Sequence, residues 1–378
     1  MRVVYRYVAR EIWMAVAFVL VGFLALFGFF DFVNELDDVG RAGYQLQHAL
    51  AFVLLSLPGH IYELMPIAAL IGTVYALSQL ASNSEFTAMR AAGLGPFRAL
   101  YAIFRVGLVF AAATLLIGEL VTGSADQMAQ RVRMSALGAT VTGEFRSGLW
   151  IKDTLRATTA GGEERQRFVN IAEITPDVSL RGVRVFEFDG AMRLTEVLEA
   201  ASGRFSPPGS WLLSDVTQVK VVPETAAGQY PAIGVQRTMI PELAWRSELT
   251  PALLGVLTVA PKRMSGWNLA SYIGHLRENR QDASRYEIAM WQKIVYPFAV
   301  LVMMALALPS AYLQIRSGGV GLKVFGGIML GITFHFLNGL FTHLGLLNTW
   351  PAWIAVSIPS AVAFMLAMGM LSWVGRVR

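Results

Sequence analysis

The sequence contains no cysteine. That absence excludes disulfides, thiolate metal sites and a cysteine nucleophile. Histidine is almost as scarce. His48, His60, His275, His335 and His343 are scattered without metal-ligand spacing. Charge is also low, with 15% charged residues against 55% hydrophobic ones, which points to a membrane protein. The net charge of +5 collects near the ends of apolar segments, where topology signals sit, so nucleic acid is not the implied partner. No nucleotide motif is present either. Gly318-Gly319-Val320-Gly321-Leu322-Lys323 looks like a phosphate loop but lacks the G-K-[ST] ending.

What is present are hydrophobic runs, and one long stretch without them. Ser124 to Arg263 holds 16 of the 31 Lys/Arg and 15 of the 26 Asp/Glu. It reads as a water-exposed module inserted midway through a membrane chain, which divides into residues 1–123, 124–263 and 264–378. Arg2, Arg6 and Arg10 precede the apolar run Ile12–Phe30. The run is too long for a signal-peptide core and ends in Phe29-Phe30-Asp31 without a small-residue cleavage site, so it predicts a retained span. Pro58 and Gly59 interrupt the next run. Leu46–Leu57 is therefore placed at the outer interface and the second span at Ile61–Leu80. Further spans are predicted at Phe97–Leu120, Trp291–Leu313 and Val324–Leu344, and a sixth ends before Arg376. The loop with Asp31, Glu35, Asp37 and Asp38 is poor in Lys/Arg and predicted outside. Those with Arg90, Arg98, Arg316 and Lys323 are predicted inside, together with both termini.

The fold class expected is thus a membrane α-helical protein of six transmembrane helices, three and three, with an inserted periplasmic all-β domain. Within the module, Phe168–Ile174, Arg181–Phe188, Met192–Leu198 and Trp211–Val222 read as strands. Asp189-Gly190 and Pro207-Pro208-Gly209 read as turns, a pattern suited to a sandwich or open barrel. The module has no histidine, which excludes a Ser-His-Asp triad or histidine metal site there. Ser265–Arg277 is predicted to be a helix capping it.

Between the second and third spans, Ser82 or Ser84 is positioned to cap a short helix that Gly93 and Pro96 stop. Phe86, Met89 and Arg90 share one face by their spacing, and Glu85 sits in the first turn, where the helix dipole favours an acid. A solvated connector is the plain alternative to a docking element. In the spans, Arg105 and Glu119 are close enough to the ends to snorkel. His335, Asn338 and His343 are expected as interhelical hydrogen-bond partners.

Three runs carry a resemblance. Ser84-Glu-Phe-Thr-Ala-Met-Arg-Ala-Ala-Gly93, Gly148-Leu-Trp-Ile-Lys-Asp153, and Gln281-Asp-Ala-Ser-Arg-Tyr286 with Met290-Trp-Gln-Lys293 and Pro297 resemble the LptF/LptG permeases of the lipopolysaccharide export ABC transporter. The last two favour the LptG branch, with an LptF-type subunit as the alternative. The resemblance covers essentially the whole chain. It implies a β-jellyroll-like periplasmic domain, an LptF-like partner, an LptB-like ATPase dimer, and LptC and LptA-like bridge proteins. It implies no catalysis, cofactor or metal in this chain. It further implies that the segment 84–93, with Ser84, Glu85, Phe86, Met89 and Arg90, docks the ATPase. Lipopolysaccharide would enter between the first and fifth spans. Phe23, Leu26, Phe27 and Phe30, with Phe334, Leu337, Leu340 and Phe341, would then form the apolar wall, and Arg131 and Arg133 would meet phosphates at the outer rim. Some relatives carry lysines where this chain has Asp31, Asp37 and Asp38, so that corner does not bind phosphate directly unless divalent cations bridge. Outside the family, a six-span secondary transporter would need ionisable groups near the midplane, and those here lie near span ends. A membrane-anchored periplasmic enzyme would need a catalytic constellation that the module lacks.

Overall fold

In hydrocarbon every backbone polar group must bond within its own segment, so the long apolar runs become helices. The computed structural model describes residues 2–41, 43–137, 148–155, 165–175, 179–206, 209–224, 232–247, 249–256, 261–312 and 319–376. Six helical segments are long and apolar enough to cross a bilayer. They are α1 (Arg2–Leu36), α2 (Leu46–Ser82), α4 (Pro96–Leu116), α8 (Ser284–Ala307), α10 (Val320–Leu347) and α11 (Ala352–Arg376). The third continues through a π turn at Ile117–Val121 into α5 (Thr122–Leu137). A short elbow, α3 (Glu85–Ala91), joins the second span to the third.

The observed helices extend past most of the predicted span limits, and two of the differences have a specific cause. The stretch Leu46–Leu57 is no separate interfacial segment, because α2 runs unbroken through Pro58 and Pro66. Proline costs a helix one bond, and neighbouring groups make up for it in a membrane bundle. At Pro58 the carbonyl left without its helical donor is that of Leu54, and separately the Thr122 hydroxyl ties α2 to the third span by donating to the Pro58 carbonyl at 3.5 Å. The fourth span starts at Ser284, earlier than Trp291, because the Asp282 carboxylate accepts from the Ser284 N–H at 3.0 Å and organises the first turn. After Leu308 it continues as α9 (Pro309–Tyr312). Leu313, Arg316 and Gly318 lie outside the described residues. The remainder of the phosphate-loop-like run opens α10, and Lys323 Nζ donates to the Ser310 carbonyl at 2.9 Å.

α2 sits at the centre of the bundle, with α1 on one side and α10 on another. Small residues bring the backbones together, as membrane helices require. Gly72 of α2 meets the backbone of Val16 on α1, while Gly327 and Gly331 of α10 meet Val74 and Ile67. Met65, Ala69 and Leu77 of α2 share a core with Ile12 and Val16, and Leu70 and Val74 share one with Met303 and Phe334.

The inserted module is a six-stranded antiparallel sheet in sequential order. Its strands are β1 (Leu149–Leu155), β2 (Arg165–Ile174), β3 (Leu180–Phe188), β4 (Leu194–Ser206), β5 (Ser210–Glu224) and β6 (Ala232–Arg246). Each of the four strand readings falls inside an observed strand, apart from Met192 and Arg193, which belong to the turn before β4. β1 and β6, the two edge strands, lie outside the four readings, and Pro241 sits within β6, where a sheet edge tolerates proline. The Asp189-Gly190 turn is longer than a two-residue hairpin. The Asp189 carboxylate accepts from the N–H groups of Ala191 and Arg193, and Met192 takes the positive φ of 59°. Those bonds hold the Asp189 carboxyl below the usual carboxylate range. In the second turn Gly209 has φ 67°, while Pro207 and Pro208 are outside the described residues.

Two short helices close one end of the sheet, α6 (Pro251–Val256) and α7 (Gly266–Glu278). Leu254, Tyr272, Ile273 and Leu276 join Trp211, Leu213 and Val185 in one core. Beside that core Arg167 pairs with Glu187 at 2.5 Å, and Ser247 donates to buried Asp153 at 2.8 Å. Asp153 closes the Gly148–Asp153 run, so part of that motif is the root of the sheet.

Candidate functional site

The elbow follows from its residues. Gly93, with φ 94°, ends α3, and the Leu94 N–H returns to the Met89 carbonyl at 3.0 Å. The expected serine cap does not form. Ser84 occupies the position with φ 61° and makes no side-chain cap bond, while Ser82 turns back to Gln79. Phe86 also differs from its expected role as a docking knob. It is 2% exposed and sits edge-on to the Tyr312 ring at 5.1 Å, so it roots the elbow in its own bundle. Met89 is half-buried against the same core. Arg90 lies over the other side of that root, 5.1 Å from the Tyr312 centroid. Glu85 stays partly exposed, 3.4 Å from the Asn83 amide, with Tyr7 of α1 close enough to feel its charge. The elbow therefore touches α1, a contact no spacing in the sequence reveals.

At the other end of α1 the expected cations are not equivalent. Arg131 is exposed and makes no ion pair among the described residues. Arg133 is held by α1 and the loop after it, 2.7 Å from Asp38 and 3.5 Å from Glu35, with Phe52 beneath it at 5.7 Å. Glu35 is buried and accepts from the Tyr44 hydroxyl at 2.7 Å. Asp31 meets His60 of α2 at 2.6 Å. Thus the acidic loop that seemed to oppose phosphate binding serves to seat α1 on α2 and α5. The bond from Arg133, ahead of the charges around it, holds the Asp38 carboxyl below the usual range. A lowered carboxylate pKa contributes stability that is present above its unfolded value and lost as pH falls through the folded one. The Arg133–Asp38 contact is therefore present at neutral pH and weakens in acid.

The apolar wall is partly redrawn. Phe30 and Phe27 are exposed, although Phe27 leans on His60 at 5.6 Å, and Phe23 is half-buried. Phe334 is 5% exposed and belongs to the core with Leu70 and Met303, so it packs between helices instead of facing outward. Leu337 and Phe341 are half-buried and Leu340 is exposed. A groove of about 490 Å³ lies between α1 and α10 over α2, with Phe18, Met14, Tyr75 and Val324 in its lining. Phe29 falls on the groove face of α1, eleven residues past Phe18. Phe18, Phe29 and Phe336, at 80%, 61% and 66% exposure, are large apolar groups the sequence reading passed over. Only packing identifies the open face of a helix that is apolar all round.

A junction ties the sheet module to the spans. Glu119, in the π turn, accepts from the Gly266 N–H at 2.9 and 2.8 Å and so caps α7. Lys293 of α8 donates to the Gly118 carbonyl at 2.6 Å and stands 3.8 Å from Glu119. Arg263 bridges Asp126 at 3.2 Å and Glu63 at 3.5 Å. Glu119 is thus a structural cap, as its position near a span end suggested. Between the fourth and fifth spans Gln292 donates to Thr342 at 2.9 Å, in addition to the Lys323–Ser310 bond. The side chains of His335, Asn338 and His343 make no such bond among the described residues, contrary to expectation. His335 and Asn338 instead line a cavity of about 220 Å³ with Glu63 and Gln292.

Six spans in two sets of three, an inserted sheet pinned to them and an elbow between the second and third define a multi-pass membrane protein with an inserted β domain. The family model described as lipopolysaccharide export system permease LptF/LptG matches residues 6–373. Over 368 residues the chain is 30% identical to the lipopolysaccharide export system permease protein LptG of Escherichia coli K12, covering 97% of each chain. It is 29% identical to LptG of Haemophilus influenzae (strain KW20 / Rd) over 368 residues, again 97% of each. The chain belongs to the LptF/LptG family of lipopolysaccharide export permeases.

Proposed function

We propose that the chain is the LptG-type permease subunit of an ABC transporter in a Gram-negative inner membrane. It takes lipopolysaccharide from the membrane and delivers it to a periplasmic bridge leading to the outer membrane. An LptF-like permease supplies the facing half of the cavity, an LptB-like ATPase dimer docks at the elbow, and LptC and LptA-like proteins receive the lipid. The observation that carries this reading is the open groove flanked by α1 and α10 over a buried α2. An exposed apolar concavity of that kind needs either lipid or a partner to cover it. Ionisable groups cluster at span ends, which disfavours a six-span secondary transporter.

In this reading Arg133 hands off between carboxylates and phosphates. At rest Asp38 and Glu35 occupy it and brace α1. An arriving phosphate offers the same bidentate recognition with more charge, and its capture frees the outer end of α1. Arg133→Glu should cut lipopolysaccharide release at least ~30-fold, about 2 kcal/mol, with the complex still assembling. Asp38→Asn should raise crosslinking from position 133 to the lipid. Unchanged release in the first variant would sink the assignment.

Orientation has its own check, aided by the absence of native cysteine. Gly190 and Gly95 both have open space where a side chain would go. In intact spheroplasts an impermeant thiol reagent should label Gly190→Cys and leave Gly95→Cys untouched. Labelling at position 95 would overturn the assignment of the module to the periplasm.

A further inference from the structure

The cleft between α1 and α4 has no role in the reading above. The two helices touch where Trp13 meets Phe110, ring centroids 4.2 Å apart. Toward their inner ends they part, leaving a cavity of about 400 Å³. Arg6 lines it from α1 and Arg105 from α4, with Trp13, Tyr101, Val106 and Val109. At ~1.5 Å rise per residue the arginines lie about 10 Å and about 8 Å on the inner side of the Trp13–Phe110 contact, so both occupy nearly one level. Both are exposed, and neither forms an ion pair or side-chain hydrogen bond among the described residues. The nearest carboxylate in sequence, Glu11, lines the groove on the α2 side of α1 instead.

We infer that this cleft binds an anionic glycerophospholipid, its phosphate held between Arg6 and Arg105 and one acyl chain lying along Trp13, Val106 and Val109. Both guanidiniums stand accessible at the mouth of an apolar cleft, and no carboxylate pairs with either among the described residues, so an anion entering the cleft meets two unpartnered cations. Basic clefts between spans on the cytoplasmic side are suited to anionic head groups. Aromatic residues at the head-group level complete the pattern. A partner's apolar helix would leave both charges unpaired, and free phosphate would leave the apolar wall uncovered. The bound lipid would bridge α1 and α4 where protein contact between them is thin. The inference concerns a face of α1 away from the groove and does not depend on what the groove transports.

The test uses the purified complex containing this chain. A photoactivatable phosphatidylglycerol in phosphatidylcholine vesicles should crosslink to peptides covering residues 5–13 and 101–109, and the matching phosphatidylcholine probe should not. Arg6→Gln with Arg105→Gln should lower that crosslinking roughly tenfold or more. Arg105→Lys should retain most of it. Val109→Trp, which fills the cleft and removes no charge, should also reduce it. Equal labelling by the zwitterionic probe, or undiminished labelling in the double variant, would overturn the proposal. So would competition by inorganic phosphate as effective as that by the lipid, or a crosslink from position 109 to another protein.

Discussion

Glu85→Ala is expected to reduce lipopolysaccharide transport by two to three orders of magnitude while the chain still inserts and assembles. Phe86 is buried beneath Tyr312, so the elbow cannot slip against its own bundle. What it presents outward is its first turn. Glu85 stands there at the positive end of the helix dipole, beside Asn83 and within reach of Tyr7 on α1. In the proposed transporter an ATPase arginine docked on this carboxylate would move elbow and α1 together. Removing one partner of a charge pair buried by docking costs roughly 3–5 kcal/mol. Were Glu85 merely solvated, the cost would be about 0–1 kcal/mol. Transport and ATP hydrolysis by the reconstituted variant separate these cases, and wild-type transport would rule Glu85 out as the coupling contact. Tyr7→Phe, which removes the hydroxyl on α1 next to Glu85, should lower transport relative to ATP hydrolysis if the force passes to α1 through that residue.

The second large effect is structural. A side chain at Gly72 would place its Cβ 2.6 Å from the Val16 backbone. Backbone atoms cannot swing away as a flexible side chain can, so Gly72→Leu must push α1 off α2. Overpacking typically costs about 1–3 kcal/mol even when side chains absorb it, and here the helix itself must move. The expected result is loss of the folded chain from the membrane, or an α1 that cleaves rapidly in limited proteolysis. Gly22→Leu, on the same pair of helices but facing open space, should be tolerated. Equal abundance and protease resistance of Gly72→Leu and wild type would contradict the observed seam.

Much of this architecture was legible in advance, for physical reasons. Span length is set by the bilayer, so the six apolar runs announced themselves, and Gly93 marked the end of the elbow because a positive φ was needed there. Where the reading failed, a competing interaction outweighed a local rule. Pro58 looked like a break, yet the surrounding bundle carried α2 through it. Phe86 looked like a surface knob because periodicity gives a face without saying what that face meets. Arg133 looked free because Glu35 and Asp38 lie almost a hundred positions earlier in the chain. Phe334 looked like cavity wall, although α2 and α8 cover it. The clamp of Glu119 and Lys293 around Gly118 and Gly266 left one faint trace, opposite charges near the same end of the third and fourth spans.

The most direct test of the central claim is transfer of lipopolysaccharide out of proteoliposomes. Vesicles would carry the complex assembled with this chain and be loaded with the lipid. A soluble acceptor protein outside would report each molecule released. The account predicts release that requires ATP and that falls steeply when Arg133 is replaced by Glu. An assembled complex that hydrolyses ATP yet releases no lipopolysaccharide would contradict it.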